Sequence, residues 1–411
     1  MTSPTRRVVV TGIGPVSPIG VGREVFWDSL VAGRSGIKDV TLFDTTGFPV
    51  RIAGEIQGFD PHDYLDRKEA RRTDRASHFA VAAAKLAWED ADTPQTEPSR
   101  TAVVISTGIG GLSTMIAQHK VLLERGPDRV SPFLVPMMMP NAPAGHVAME
   151  MGFTGPNTCI TTACAASGHA VGEAYRYIGE GYADVALAGG TEAVITPLAM
   201  AGFAKMGALS KNPDPAKACR PFDANRDGFI LGEGACVLVL EELERAQARG
   251  ATIYAEVAGY GASADAYHIT APEPGGGGAV LAMEAALSDA DEAAEAVDYI
   301  NAHGTSTPLN DAAETRAIKK VLGEHAHRVM VSSTKSMTGH LLGAAGGLEA
   351  AVTALAINTS VVPPTTNYET PDPECDLDYV PNDSRKSEVR LALSNSFGFG
   401  GQNAVVALRK L

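Results

Sequence analysis

Cys164 lies in Thr161-Thr162-Ala163-Cys164-Ala165-Ala166-Ser167-Gly168-His169-Ala170, a run of small residues that opens onto a long amphipathic pattern. From Ala165 to Gly181, the residues Ala166, Ala170, Val171, Ala174, Tyr175 and Ile178 recur at helical spacing, so the cysteine falls at a predicted helix N-terminus. Unpaired amides and the helix dipole favour a thiolate there, and the thiolate is the nucleophilic form. A buried structural cysteine fits the same context, because free Cys is among the most buried residue types. Three further groups share this setting. His303, in Asn301-Ala302-His303-Gly304-Thr305-Ser306-Thr307, follows a predicted strand, at the end where α/β proteins carry their chemistry. His340 precedes a second small-residue helix, and Phe397-Gly398-Phe399-Gly400-Gly401 offers flexible amides between two rings. Taken singly, each is a capping histidine or a tight turn as readily as a functional group. Their occurrence with Cys164 at corresponding ends of two repeats is what singles them out. Zinc is a poor explanation, since no pair among Cys164, His303 and His340 has ligand spacing and no supporting carboxylate is evident.

The elements that must hold these groups alternate short apolar runs with helical patterns, which is how a sheet with crossover helices is written. In residues 1–250, strands are predicted at 8–11, 101–106, 184–189 and 235–240, with helices at 26–32, 73–91 and after Cys164. Residues 251–411 restart the rhythm, with strands at 255–261, 299–302, 329–332, 390–394 and 404–408 and helices at 279–287, 309–322 and 341–357. Two similar halves with two central Gly/Ala-rich helices predict an α/β sandwich of layered sheets, the two helices passing close together. Two look-alike motifs are set aside. Gly12-Ile13-Gly14-Pro15-Val16-Ser17 has Ser where a dinucleotide fingerprint needs its third Gly, and Asp223 to Gly228 opens like a calcium loop but has Gly234 at the twelfth position. Met137, Met138 and Met139 lie between prolines in an apolar, irregular stretch; core filling is the simplest reading, an acyl pocket or subunit contact the alternative.

Composition bounds the function classes. With 411 residues, 45% of them hydrophobic, the chain can bury a large core and hold two fused halves. A net charge of −14 argues against nucleic acid or an anionic membrane as partner. The five cysteines form no CxxC pair and no regular framework, which reads as reduced thiols in a cytoplasmic protein. Neither a basic-then-apolar leader nor a run of about 18 apolar residues is seen, so no membrane span is expected. Against the acidic background, Arg67, Lys68, Arg71, Arg72 and Arg75 crowd together, with Lys205 a candidate companion; a solvated face balanced by Asp66, Glu69 and Asp74 is the plain alternative.

Four stretches carry a family resemblance: TACAASGHA around Cys164, NAHGTSTPLND around His303, SSTKSMTGHLLGAAGGLE around His340 and NSFGFGGQN around Phe399. From Val8 to Leu408 the chain resembles the elongating β-ketoacyl-[acyl-carrier-protein] synthases of type II fatty acid synthesis, within the thiolase-fold group. That likeness implies a layered αβαβα sandwich built from two similar halves. Thiolases are expected to carry a second catalytic cysteine, initiating synthases an asparagine in the role of His340, and non-catalytic chain-length-factor homologues no Cys164. This sequence reads Cys-His-His. Gln402 departs from the pattern, standing where many relatives have Thr.

The resemblance implies decarboxylative Claisen condensation. Transthioesterification onto Cys164 keeps an acyl carbonyl activated, whereas a serine ester would discard that activation. Loss of CO₂ from a malonyl thioester gives an enolate whose oxygen needs donors in a dry site; by the resemblance these are His303 and His340. Backbone amides of Cys164 and Phe399 would hold the tetrahedral oxyanion, with Phe399 also acting as a gate. Lys335 would set the charge balance of the histidine pair, Asp311 and Glu349 would orient the lysine and nearby turns, and Thr305 and Thr307 would support them. Ile109 would line the acyl pocket. Docking of acyl carrier protein, bearing phosphopantetheine-linked acyl and malonyl groups, would use Arg67, Lys68, Arg71, Arg72 and Lys205. A homodimer without metal or cofactor is implied. A polyketide ketosynthase of the same fold and a non-catalytic acyl-binding subunit are the alternatives, and the complete triad speaks against the latter.

Overall fold

Gly12 and Gly14 mark the contact between the first sheet and its covering helix. A Cβ there would lie 2.2 Å from the carbonyl oxygen of Ala87 or 2.0 Å from that of Ala83, so only glycine lets the helix Arg75–Asp90 rest on the strand Val8–Ser17. The second half repeats the contact. On the strand Ala255–Ala264, a Cβ at Gly259 or Gly261 would lie 2.4 Å from Ala286 O or 2.0 Å from Ala282 O of the helix Gly277–Asp289. Asp90 accepts the Ile13 N–H and Asp289 the Tyr260 N–H, both at 2.9 Å. The Gly-rich segment after residue 11 therefore serves helix–sheet packing and lies within a strand.

The computed structural model describes residues 6–411. Each half builds a mixed sheet with five strands in the same order: Asn157–Thr158, Thr101–Ser106, Val185–Glu192, Gly234–Glu242 and Val8–Ser17, then Met330–Ser332, Tyr299–Asn301, Leu391–Gly398, Gln402–Arg409 and Ala255–Ala264, with the two-residue strand Gly20–Val21 added on the end of Val8–Ser17. The two first strands pair antiparallel through residues 8–10 and 255–257, which joins the half-sheets edge to edge. Helices Ala166–Gly179 and Ala345–Thr359 lie between the half-sheets and touch strands of both. Arg75–Asp90 and Ala142–Met151 cover the outer face of the first sheet, and Gly277–Asp289 and Pro308–Leu322 that of the second. The result is the layered αβαβα sandwich. The two central helices cross at glycine: a Cβ on Gly346 would lie 2.6 Å from Gly168 N, and Ser167 Oγ accepts the Gly347 N–H at 2.8 Å.

Two expectations are corrected. The methionine stretch forms a short helix, Leu134–Met138, with Met138 and Met139 exposed, so it does not fill the core. The second central helix begins at Ala345, behind a separate turn at Leu342–Ala344. No helix among the described residues is long and apolar enough to cross a membrane.

Candidate active site

A strained turn presents Cys164. Ala163, immediately before it, has φ +48°, in the left-handed region where an L-residue costs on the order of 1–3 kcal/mol. Residues Ala163–Ala165 make one 3₁₀ turn ahead of the helix Ala166–Gly179. The second half has the same device, with Leu342 at φ +47° opening the turn Leu342–Ala344. Gly343 thus stands in the second half where Cys164 stands in the first.

The Cys164 thiol borders a cavity of about 430 Å³ whose lining includes His303, His340, Phe399, Ile109, Thr305 and Thr307. Burial pushes the thiol up to about 12, opposed by the Lys335 charge and by the Phe399 backbone N–H bonded to it. The expected resting thiolate is therefore corrected: desolvation outweighs the helix end, and the thiol is protonated at neutral pH.

The two imidazoles meet edge to face with ring centroids 5.4 Å apart. Glu314 anchors the first one, its Oε1 and Oε2 accepting the N–H groups of His303 and Gly304 at 2.8 Å each, while Asn395 Nδ2 donates to Oε1 at 3.1 Å. His340 is clamped by its main chain, donating to Ile230 O at 2.7 Å and accepting from Gly232 N at 2.9 Å. Burial, then the Lys335 charge, holds both rings well below the usual imidazole range, so both are neutral at neutral pH. Neither Nδ1 has a hydrogen-bond partner among the described residues. A neutral imidazole carries one N–H, which can donate to an anion without adding charge.

Lys335 and Glu349 form a buried ion pair beneath these rings. Burial nevertheless pushes the Glu349 carboxyl up to about 7. Asp311 lies elsewhere, which corrects its expected contact with the lysine: it accepts the Phe222 N–H at 2.9 Å and lies 3.6 Å from the Arg226 guanidinium. Its role in the fold is to fix the turns around the site. Thr305 and Thr307 hydroxyls are 2.9 Å apart, and Thr307 caps the helix Pro308–Leu322 through the Asn310 N–H. Phe399 opens a three-residue hairpin turn, with the Gly401 N–H donating to Gly398 O at 3.0 Å and the Gly400 N–H to Ile269 O at 2.7 Å. Gly400 and Gly401 have φ of +87° and +71°, which suits glycine. The Phe399 ring is half-buried, and Gln402 starts the return strand opposite Gly398.

The N-terminal domain of β-ketoacyl synthase matches residues 5–246, and the C-terminal domain of the same enzymes matches residues 254–369. The chain belongs to the β-ketoacyl synthase family. It is similar to 3-oxoacyl-[acyl-carrier-protein] synthase 2 of Synechocystis sp. (54% identity, 98% of each chain covered) and to the protein of that name in Staphylococcus aureus strain COL (51%, 99% of each). Among solved structures it resembles the ishigamide ketosynthase/chain length factor, with a TM-score of 0.93 at 40% identity over 99% of this chain and 100% of the other. A second likeness is to a type II polyketide ketosynthase solved in complex with its acyl-carrier protein, with a TM-score of 0.91 at 36% identity and the same coverage. As a family member, the chain is an acyltransferase of the condensing type.

On the surface of this ketosynthase, Arg67, Lys68, Arg71 and Lys205 are exposed and Arg72 is half-buried, its guanidinium 4.9 Å over the Phe133 ring. Arg75 is withdrawn from the group, bonded to the buried Glu233 at 2.6 and 2.9 Å. The Asp74 carboxylate bonds Ser113 and Thr114, which places the basic segment beside the turn that carries Ile109. Lys205 adjoins Met206, which lines the cavity. Sequence reasoning missed Glu314 and Glu192, both buried. Each had a signal: Glu314 falls on the face of a predicted helix shared with Asp311 and Ile318, and Glu192 is the one charge between Val185 and Met200. Among the described residues no group of three His, Cys, Asp or Glu side chains is placed to hold a metal ion.

Proposed function

We propose that the chain condenses an acyl group held on Cys164 with malonyl-[acyl-carrier-protein], releasing CO₂ and giving a β-ketoacyl carrier protein, in fatty acid chain elongation. The observation that carries this reading is the meeting of Cys164, His303, His340 and Phe399 in one cavity. In the first half-reaction Cys164 Sγ attacks the acyl thioester carbonyl. Its proton leaves with the phosphopantetheine thiol, and the oxyanion is held by the amides of Cys164 and Phe399. In the second, malonyl thioester loses CO₂, and the enolate oxygen takes hydrogen bonds from neutral His303 and His340. The enolate carbon then attacks the Cys164 thioester, and the cysteine leaves as thiolate and regains a proton. Burial, reinforced by the charge of Lys335 in its pair with Glu349, holds the histidines neutral. Ile109 forms the acyl-pocket wall, and Thr305 and Thr307 line the entry for the pantetheine arm.

Carrier protein is the partner, since an acidic protein needs a local basic patch to bind another acidic one, and Arg67, Lys68, Arg71, Arg72 and Lys205 offer it. The functional unit is a cytoplasmic homodimer. The exposed Phe133, Val135, Met138 and Met139, and the short edge strand Asn157–Thr158, support a second copy on that side. A polyketide role is the second reading, favoured by the likeness to the type II polyketide ketosynthase; the higher identity to the 3-oxoacyl-[acyl-carrier-protein] synthases weighs against it. Incubation with acyl- and malonyl-carrier proteins, followed by mass measurement of the product, decides. A single two-carbon extension fits the proposal, repeated extension without reduction fits the polyketide reading, and no extension refutes both.

A further inference from the structure

We infer that Glu192 is a positioning residue that ties the acyl-pocket wall to the His340 side of the cavity, and through that tie governs which acyl chains the pocket accepts. The inference rests on the condensing-enzyme reading above. Glu192 ends the strand Val185–Glu192 and is fully buried, yet it does not line the cavity. Four donors from the two halves converge on its carboxylate. Oε1 accepts the Thr107 hydroxyl at 2.9 Å and the Ile109 N–H at 3.3 Å, and Oε2 accepts the Gly108 N–H at 2.8 Å and the Gly343 N–H at 3.0 Å. Thr107 Oγ1 in turn accepts the Gly110 N–H at 3.1 Å, so the whole pocket turn hangs from one side chain.

What the carboxylate joins is the cavity itself. Gly108 and Ile109 line one side, and Leu342 and His340 the other, with Gly343 next to Leu342. The two sides are packed so closely that a Cβ on Gly343 would lie 2.1 Å from Gly108 N. Glu314 anchors the His303 turn in the same way, by accepting two consecutive N–H groups, so each half sets one cavity-lining turn on a buried carboxylate. Glutamine cannot replace this acceptor. It has one acceptor oxygen, and in its better orientation, with that oxygen toward Gly108 and Gly343, its NH₂ faces the Ile109 N–H and forces the Thr107 hydroxyl to turn from donor to acceptor. Glu192→Gln keeps the volume and releases half the tie, freeing the pocket wall that a long chain must press against and a short chain does not reach.

The test uses the intact protein as wild type, Glu192→Gln and Thr107→Val, each charged in single turnover by butyryl- and by palmitoyl-carrier protein. Acyl-Cys164 is read by mass, alongside CO₂ release from malonyl-carrier protein. The expected result for Glu192→Gln is a change of about tenfold or more in the ratio of palmitoyl to butyryl transfer, with decarboxylation near wild type. Thr107→Val, which removes one donor of four, shifts the ratio less and in the same direction, and it decides alone if the glutamine variant fails to fold. A merely structural glutamate would lower the melting temperature and leave the ratio unchanged, and folded variants with the wild-type ratio overturn the inference. Wild type that forms no β-ketoacyl product refutes the underlying reading instead.

Discussion

Replacing Lys335 by Met removes one charge from beneath the imidazoles while keeping a straight apolar stem. The Lys335 and Glu349 side chains are each 2% exposed, so the variant leaves a buried carboxyl without its counter-charge. Breaking a buried pair at one end costs roughly 3–5 kcal/mol. With an unfolding entropy of about 2 cal/mol/K per residue, a chain of this length loses about 1 °C per kcal/mol, so the melting temperature should fall by roughly 3–6 °C. Removing both partners, Lys335→Met with Glu349→Leu, puts apolar groups where the pair was and should recover most of that loss. The chemistry moves as well. Lys335 depresses both imidazoles and favours the Cys164 thiolate, so its loss raises the imidazole pKa values toward their ordinary range and leaves the thiol harder to ionise. Single-turnover acylation of Cys164 at fixed pH should therefore slow in both variants, whereas the melt separates them. A single variant that melts with wild type, or a double variant no more stable than the single, would refute the ion pair as the anchor of the site.

Three other outcomes are expected. His303→Ala or His340→Ala should slow malonyl decarboxylation on the order of 10²- to 10³-fold while Cys164 still accepts an acyl group; normal CO₂ release by either variant removes that histidine from the enolate site. Because the thiol is pushed up to about 12, alkylation of Cys164 by a small reagent should rise about tenfold per pH unit from about pH 6 to about pH 9; a plateau inside that range would mean a resting thiolate. Charge reversal at Lys68 and Arg72 should raise the KM for carrier-bound substrate and leave a pantetheine analogue nearly untouched; equal effects on both would place docking elsewhere.

Much of this site was legible because its parts announce themselves locally. Cys164, His303 and His340 each follow a strand or open a helix, and glycine-rich turns mark where the backbone must come close. What stayed hidden depends on contacts between segments far apart in the chain. The protonated state of Cys164 follows from its burial, which no spacing reports, and it reverses the expectation drawn from the helix end alone. Asp311 and Glu314 are three residues apart on one helix, yet one serves Phe222 and Arg226 and the other the His303 turn. Their partners were not readable from the helix. The methionine stretch misled for a different reason: hydrophobicity predicts burial, yet Met138 and Met139 are exposed on this chain.

The Phe399 ring borders the cavity and is half-buried, held at the first position of a three-residue turn whose next two residues are glycines at positive φ. A ring packed in the core would cost roughly 3–5 kcal/mol to truncate, whereas a cavity-lining ring with solvent on one side loses little stability. The backbone of this same residue opposes the upward shift of the Cys164 thiol, so a movement of the turn that admits an acyl chain also moves the amide proposed to hold the oxyanion. Phe399→Ala should therefore leave the melting temperature close to wild type, slow the acylation of Cys164, and let malonyl-carrier protein enter before the acyl group is loaded. Order of addition in single-turnover experiments reads the last effect directly. A large drop in melting temperature with unchanged acylation would make the ring structural and remove the gate.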